Sequence, residues 1–500
     1  MAVTTTVPVD TVIVGAGSAG GVLAARLSEN SARTVLLLES GPDFGSDPDG
    51  CPADVTDAAD VGPTDWDWGL QAALGALGRD SPVFAGRLVG GSSATNNVMA
   101  LRGRPRDYDG WAAAGNEGWG YDEVLDAFVR VENDLDYGDR PGHGEAGPVP
   151  IRRYALDALP DPQRAFVDTC VAAGHPPVAD HNAPDAVGAG PLPLNALGDV
   201  RQSTALTYLA EARRRPNLAV WSGTTVDRVL VEGDRATGVL LADGRAVPAG
   251  QVILAAGTYG SPAILQRSGI GPAAYLRSLG IPVLCDLPGV GANLHDHPLL
   301  RMRYGTGATP EALPCQTVLT TRSDGAVADP DLQIFPSAVA QGEAGSELML
   351  LVALLAPRSR GSVRLASPHP DDQPVIDVGL LNHPDDLARL RSGVRQARRL
   401  ARTPPLADQL DNALWPGPDI SEDDELDEAI RAGINVYQHP VGTCRMGPQG
   451  DPGAVVDADG RVHGLTGLAV VDASIMPTIP AANTNLPTLM IAEHLAPSYA

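Results

Sequence analysis

Lysine is missing altogether: all 36 basic residues of this 500-residue chain are arginine, and they face 61 acidic ones. Arginine-favouring codon usage accounts for the bias, but one chemical consequence is firm: Schiff-base and lysine general-base mechanisms are excluded. A formal charge of −25 repels phosphate backbones and anionic bilayers, which argues against nucleic-acid and membrane partners. Cysteine is scarce and scattered. Cys51, Cys170, Cys285, Cys315 and Cys444 form no CxxC pair and are odd in number. Neither a disulfide framework nor a zinc site is expected, and a reducing, cytoplasmic setting is. Long hydrophobic runs are also missing. Leu348 to Ala356 reaches about half the span of a bilayer and reads as a buried strand. The apolar stretch Val12 to Leu27 has no basic leader and is broken by four glycines, so no secretory signal is expected.

What is present is an ordinary globular composition, 43% hydrophobic, in a chain long enough for two domains. It opens with an apolar strand at 9–14, a glycine turn, a helix to Ser28, and a second strand ending at Glu39: a βαβ unit. Residues 41–69 and 133–150 read as loop, 122–132 as helix, and 202–215 as a helix with arginines near its end. Residues 218–231 and 236–256 alternate like strands, with Asp243-Gly244 as a hairpin turn. Four short apolar runs between Asp331 and Val378 suggest one antiparallel sheet in a second domain. His383-Pro384-Asp385-Asp386 starts a long helix, and His369-Pro370-Asp371-Asp372 is a similar turn; both read as backbone chemistry rather than metal sites.

Four segments carry chemistry. Gly15, Gly17 and Gly20 form a GxGxxG turn between strand and helix, allowing a tight turn, backbone approach to a pyrophosphate, and close helix packing. The helix N-terminus there suits phosphate, and Glu39, nineteen residues past Gly20, is placed for a ribose hydroxyl. This motif does not separate NAD from FAD. A second cluster runs Gly86-Arg87-Leu88-Val89-Gly90-Gly91-Ser92-Ser93-Ala94-Thr95-Asn96-Asn97-Val98-Met99, then Arg102-Gly103 and Asp107-Tyr108-Asp109. A third is Ala256-Gly257-Thr258-Tyr259-Gly260-Ser261-Pro262, running to Gly271-Pro272. The fourth is His439-Pro440-Val441-Gly442-Thr443-Cys444-Arg445, followed by Val471-Asp472-Ala473-Ser474 and Asn483-Thr484-Asn485-Leu486-Pro487.

In this order, across nearly the whole chain, these segments resemble the glucose–methanol–choline (GMC) flavoprotein oxidoreductases. The resemblance implies a mixed α/β fold: a Rossmann-like FAD-binding domain interleaved with a substrate domain built on an antiparallel sheet with flanking helices. The expected FAD domain comprises residues 1–150, 196–295 and 451–500, and the substrate domain 151–195 and 296–450. It further implies that Glu39 holds the adenosine ribose and that Gly90, Gly91, Ser93, Asn96, Val98 and Met99 line the pyrophosphate and flavin. Val226 would meet the adenine, Asp472 and Ala473 the ribityl end, and Thr484 belongs to the same cofactor set. His439 matches the family's catalytic histidine and Asn483 its partner. Thr95 stands where some members carry a flavin-linking histidine, so the FAD is expected to be non-covalent.

The residues themselves agree with those roles. Alcohol oxidation by a flavin sends a hydride to the ring and a proton to a base, for which histidine is suited near neutral pH. An amide such as Asn483 donates to the substrate oxygen without carrying charge. The other histidines, His295 and His297 included, read as hydrogen-bonded core residues. Asn485 is expected to cap a helix running to about Leu495, its N-terminus favouring negative charge on reduced flavin. Tyr437 and Gln438, just before His439, are candidate pocket residues, and the chain's modest length points to trimmed loops around 300–345. The expected reaction is oxidation of an aryl or other primary alcohol to an aldehyde or ketone, with O2 re-oxidising the flavin. Alternatives are a dehydrogenase passing electrons to a quinone or other carrier, a hydroxynitrile lyase on the same fold, and a flavin-carrying redox partner.

Overall fold

The computed structural model describes residues 9–60, 62–309, 315–324, 329–337, 339–342 and 345–500. Strands Leu218–Trp221, Val35–Leu38, Val9–Val14 and Ala246–Leu254 lie in that order, parallel, and Leu468–Val470 joins Ala246–Leu254 in the same sense. Val12, Ile13, Val14 and the whole of Val35–Leu38 are buried, as expected for parallel strands covered on both faces. The near end of Ala246–Leu254 folds back through a hairpin at Asp243-Gly244 onto Arg235–Leu241 and Val226–Glu232. Helix Ser18–Leu27 makes the first crossover and packs beside the C-terminal helix Asn485–Leu495.

A second large sheet is antiparallel. Gly188–Pro191, Thr317–Thr321, Leu332–Pro336, Gly345–Leu354 and Pro298–Gly305 follow one another, with Ala413–Trp415 and Asn435–Val436 on the far side. Its period-two alternation sorts two apolar faces. Leu300, Met302, Leu350 and Val352 pack with Leu390 and Val394 of the helix Pro384–Ala401. Leu299, Phe335, Leu351 and Ala353 turn the other way, towards Val98, Met99, Tyr437 and Ala482. The glycine-rich segment 86–99 thus meets this second face through Val98 and Met99.

The mixed α/β architecture expected from sequence is present, with local corrections. The four runs between Asp331 and Val378 belong to two sheets. Ser362–Arg364 and Val375–Asp377 join Leu70–Ala73 and Asp80–Val83, through a parallel pairing of Ile376 with Ala72 that no local pattern announces. Of the helix expected at 202–215 only Tyr208–Ala212 forms. Thr204 is held off a helical path, its N–H donating to Ser93 Oγ (3.0 Å) and its hydroxyl to Gly17 O (3.3 Å). Asn485 is the first helical residue, with Thr484 before it as the cap. The Asn485 side chain accepts from Ser18 Oγ at 2.8 Å and is thereby taken from the capping role. His383 does start its helix, accepting the Asp385 N–H at 3.3 Å. Parts of the stretch 300–345 fall outside the described residues. All five cysteines are free thiols. No helix among the described residues is long and apolar enough to cross a membrane.

Candidate active site

The glycine turns form a cradle because their backbones touch. At Gly15 (φ +100°) a Cβ would sit 2.5 Å from Ala255 O, and at Gly91 (φ +51°) it would sit 2.6 Å from the Cα of Gly17. A Cβ on Gly20 would lie 1.8 Å from Gly15 O, so the helix presses directly on the turn. Gly90 N–H donates to Ala16 O (2.8 Å), and Ser93 Oγ to Gly90 O (2.6 Å), tying the second cluster to the first. The Ser18–Asn485 hydrogen bond brings two helix N-termini together at this point, and their free N–H groups and dipoles suit an anionic pyrophosphate. Glu39 is buried at the rim. Burial raises its pKa, against the N–H groups of Ala16 and Gly41, each 2.9 Å from a carboxylate oxygen. Val226 begins its strand two residues after Thr224, whose N–H donates to Glu39 O (2.7 Å).

On the opposite side Asp472 ties the third segment to the fourth. Its Oδ2 accepts from Ser261 Oγ (2.6 Å) and Gly257 N (2.9 Å), its Oδ1 from Ser474 N (2.8 Å), while Ala473 O accepts from Gly442 N (3.2 Å). Asn96 Oδ1 accepts the N–H of Val98 (2.9 Å), a β-branched residue held at φ +52°. Met99 follows directly, facing Asn483 and Tyr437. A cradle lined by glycine, where a Cβ on Gly15, Gly20 or Gly91 would collide, two convergent helix starts and a buried carboxylate at the rim are what an FAD dinucleotide requires, so these residues fit that cofactor.

The side chains with acid–base chemistry form a single chain of hydrogen bonds. Asn483 Nδ2 lies 3.1 Å from His439 Nε2, His439 Nδ1 lies 2.9 Å from His297 Nδ1, and His297 Nε2 lies 3.1 Å from Leu355 O. Assigned from this network, the protons run one way. Leu355 O accepts from His297 Nε2–H, so His297 Nδ1 accepts from His439 Nδ1–H, and His439 Nε2 is left as an acceptor beside Asn483. Burial, with His297 second, holds the His439 pKa well below the usual histidine value; burial takes His297 to about 3. Both imidazoles are therefore neutral at physiological pH. The His439 N–H donates to Asp296 Oδ1 at 2.9 Å; burial raises the Asp296 carboxyl to about 7 against this and neighbouring backbone donors. Asn483 Oδ1 has no partner though buried, as befits a group awaiting a ligand.

Tyr437 and Gln438 part company. The Tyr437 ring lies 4.1 Å from that of His439 and stacks near-parallel on Phe335, its hydroxyl donating to Gln333 Oε1 at 3.1 Å. Gln438, at φ +67°, turns its side chain away: its Oε1 accepts the Phe84 N–H (2.8 Å) and its Nε2 donates to Pro82 O (3.3 Å). His295 is a hydrogen-bonded core residue, accepting the Ile479 N–H (3.1 Å). His297 is more than that, since it touches His439 across 142 residues of chain. The signal in the sequence was its neighbour pattern, His295-Asp296-His297-Pro298, too short to read alone.

A separate group, Glu132, Asp134 and His143, has the proximity of a metal site. The cations already there are the protein's own. Arg102 binds Glu132, Arg153 binds Asp134 (2.9 Å) and Asp180 (2.7 Å), and His143 Nε2 meets Asp180 at 3.0 Å. Against burial, hydrogen bonds to Asp134, Asp180 and Glu132 raise His143 to about 10. Four carboxylates, Glu132, Asp134, Asp136 and Asp180, thus share Arg102, Arg153 and His143 in a charge network that fastens the segment 132–153.

Known proteins resemble this chain in sequence and fold. Two family models, both described as GMC oxidoreductase, match residues 9–299 and 357–492. The 5-(hydroxymethyl)furfural oxidase of Methylovorus sp. (strain MP688) is 39% identical, over 97% of this chain and 98% of that one. The oxygen-dependent choline dehydrogenase of Photobacterium profundum is 34% identical over 97% and 92%. Among solved structures, pyridoxine 4-oxidase from Mesorbium loti superposes with a TM-score of 0.91 at 35% identity, covering 98% of this chain and 99% of that one.

Proposed function

This chain belongs to the GMC oxidoreductases, FAD-dependent enzymes acting on CH–OH groups, and we propose that it oxidises an aryl or other primary alcohol with His439 as base. The observation that carries the reading is the one-way proton chain ending in an acceptor at His439 Nε2, next to an amide donor. Bound FAD supplies the hydride acceptor. The protein supplies everything that concerns the proton. His439, kept neutral by burial, takes the alcohol proton at Nε2 while Nδ1–H stays anchored on His297. Asn483 shifts its amide N–H from His439 to the alcohol oxygen, which aligns the carbon bearing the hydride. The apolar wall of Leu299, Phe335 and Leu351 excludes water from this step.

O2 as the electron acceptor is supported by the oxidases among the relatives, and a carrier-linked dehydrogenase is the second reading. Thr95 offers no imidazole to bond a flavin, which supports non-covalent FAD. Five free cysteines support a reducing, cytoplasmic setting. The interleaved division proposed, FAD domain 1–150, 196–295 and 451–500 and substrate domain 151–195 and 296–450, is supported by the strand membership of the two large sheets. The small sheet pairing Leu70–Ala73 with Val375–Asp377 bridges the two.

The test is an anaerobic titration of the purified holoenzyme with primary alcohols, followed by air in the same cuvette. The expected result is bleaching of the visible flavin band and rapid recovery in air. Slow recovery would transfer the case to a carrier-linked dehydrogenase. Cyanide release from a cyanohydrin without bleaching would make it a lyase. Acid precipitation is expected to leave all the flavin in the supernatant.

A further inference from the structure

Along the strand Pro298–Gly305 the odd-numbered side chains share the face that borders the active site, where Leu299 packs in the apolar cluster of Tyr437, Phe335 and Leu351. Arg301 and Arg303 continue on that face. Their situations differ. Arg303 is gripped by both oxygens of Glu347, at 2.8 Å each. Arg301 stands opposite Leu351 with Met349 and Ala353 on the diagonals, and no described residue offers it an ion pair or hydrogen bond. Acids outnumber arginines 61 to 36 in this chain, so carboxylates were not in short supply.

Arg301 is exposed. Even so, protein surrounds it closely enough for desolvation to lower its pKa, and the group acting against that shift is the Tyr437 phenol. The Tyr437 ring lies 4.1 Å from the His439 ring and shares its apolar cluster with Leu351, the residue Arg301 faces across the strand pair, so one tyrosine neighbours both the guanidinium and the catalytic histidine. From this juxtaposition of an unpaired guanidinium and a catalytic histidine across Tyr437, we propose that the alcohol substrates carry a carboxylate, and that Arg301 binds it.

One fork of N–H donors matches one carboxylate, and the neighbouring Arg303 is already neutralised, so the site is built for a monoanion. The near-parallel rings of Phe335 and Tyr437, 5.8 Å apart, and the side chains of Met99 and Met349 belong to the same apolar cluster. They suit a flat apolar body. The substrate class is an aromatic primary alcohol with its acid group remote from the CH2OH. This inference rests on the alcohol-oxidation reading above.

The experiment compares para-(hydroxymethyl)benzoate with the neutral para-methylbenzyl alcohol in anaerobic flavin reduction by the holoenzyme. The wild type is expected to favour the acid by roughly 10- to 100-fold in the second-order rate of reduction, expressed mainly in the concentration needed for half-maximal rate. Arg301→Met removes that preference, Arg301→Lys restores part of it, and Arg301→Glu reverses it in favour of the neutral alcohol. Arg301 is exposed, so these replacements open no buried cavity. Calorimetric titration with para-toluate, which carries the acid but no alcohol, gives a readout independent of turnover. It is expected to bind the wild type and not Arg301→Met, more weakly as salt rises. Equal reduction by the two alcohols in the wild type, or toluate binding unchanged in Arg301→Met, overturns the proposal. Failure of both alcohols to bleach the flavin overturns the alcohol reading, and toluate binding then still decides the carboxylate site.

Discussion

At the scale of single residues, the proposed chemistry depends on keeping an imidazole unprotonated. His439 and His297 are buried, and both pKa values lie below the ordinary histidine value, His297 at about 3. The unfolded chain takes up a proton near pH 6.5 that the folded chain refuses, so their burial weighs against stability increasingly as pH falls below 6.5 and costs nothing above it. His439→Asn is expected to slow flavin reduction by an alcohol about 10²- to 10⁴-fold, read by stopped-flow bleaching with the flavin still bound. The same variant is expected to lose less thermal stability than the wild type between pH 6.5 and 4.5, measured by calorimetry. A variant equally acid-sensitive would mean that His439 is protonated in the native protein. The sequence announced His439 and Asn483 as a pair through motif order. The link from His439 to His297 was not legible, because contacts between residues 142 apart leave no local trace.

At the scale of elements, what the chain writes locally it also folds locally. The strand–turn–helix at 9–27 and the hairpin at Asp243-Gly244 formed where period and turn residues placed them. The helix Pro105–Ala113 went unread although Pro105 opens it and Asp107 accepts the Arg104 N–H at 2.9 Å, both start signals. The helix expected at 202–215 failed for the opposite reason, since tertiary hydrogen bonds to Thr204 outweigh local propensity. The segment 132–153 is secured by charge instead. His143 has a raised pKa of about 10, so its contribution is complete below pH 6.5 and is lost as pH rises through 10. Asp134, held down to about 2 against burial by His143 and Arg153, gives way only in strong acid. His143→Gln is expected to lower stability at pH 7 by about 1–3 kcal/mol, less than a fully buried pair because the cluster borders an open groove. Denaturant unfolding at pH 7 and above pH 10 checks this: the gap between variant and wild type should close at the higher pH.

At the scale of the molecule, the proposed cofactor cradle joins residues 15–20, 39, 90–99 and 472–485, with the large core of the parallel sheet and the smaller apolar cluster of Met99 and Tyr437 beside it. Ligand binding to so distributed a site couples directly to global stability. Stripping the FAD is expected to lower the melting temperature by about 2–3 °C relative to protein held with FAD at 100 times its dissociation constant, and adding that FAD back restores it. Scanning calorimetry of holo, apo and reconstituted protein is the check, and an unchanged apo melting temperature would contradict a cradle shared among segments. The antiparallel character of the second sheet was readable in part, because short separated apolar runs differ in pattern from the buried parallel strands. The sheet uniting Leu70–Ala73 with Val375–Asp377 was not, since its pairing spans most of the chain.

The hydrogen bond from Ser18 to Asn485 joins the first helix to the last, and Leu468–Val470 completes the parallel sheet begun at Val9. A ribosome making this protein therefore releases the opening glycine turn hundreds of residues before the segment that closes it. Until residue 485 has been made, the nascent chain offers only part of the proposed binding site. A product truncated before residue 468 lacks both the closing strand and Asn483, so premature termination yields a protein without colour as well as without activity.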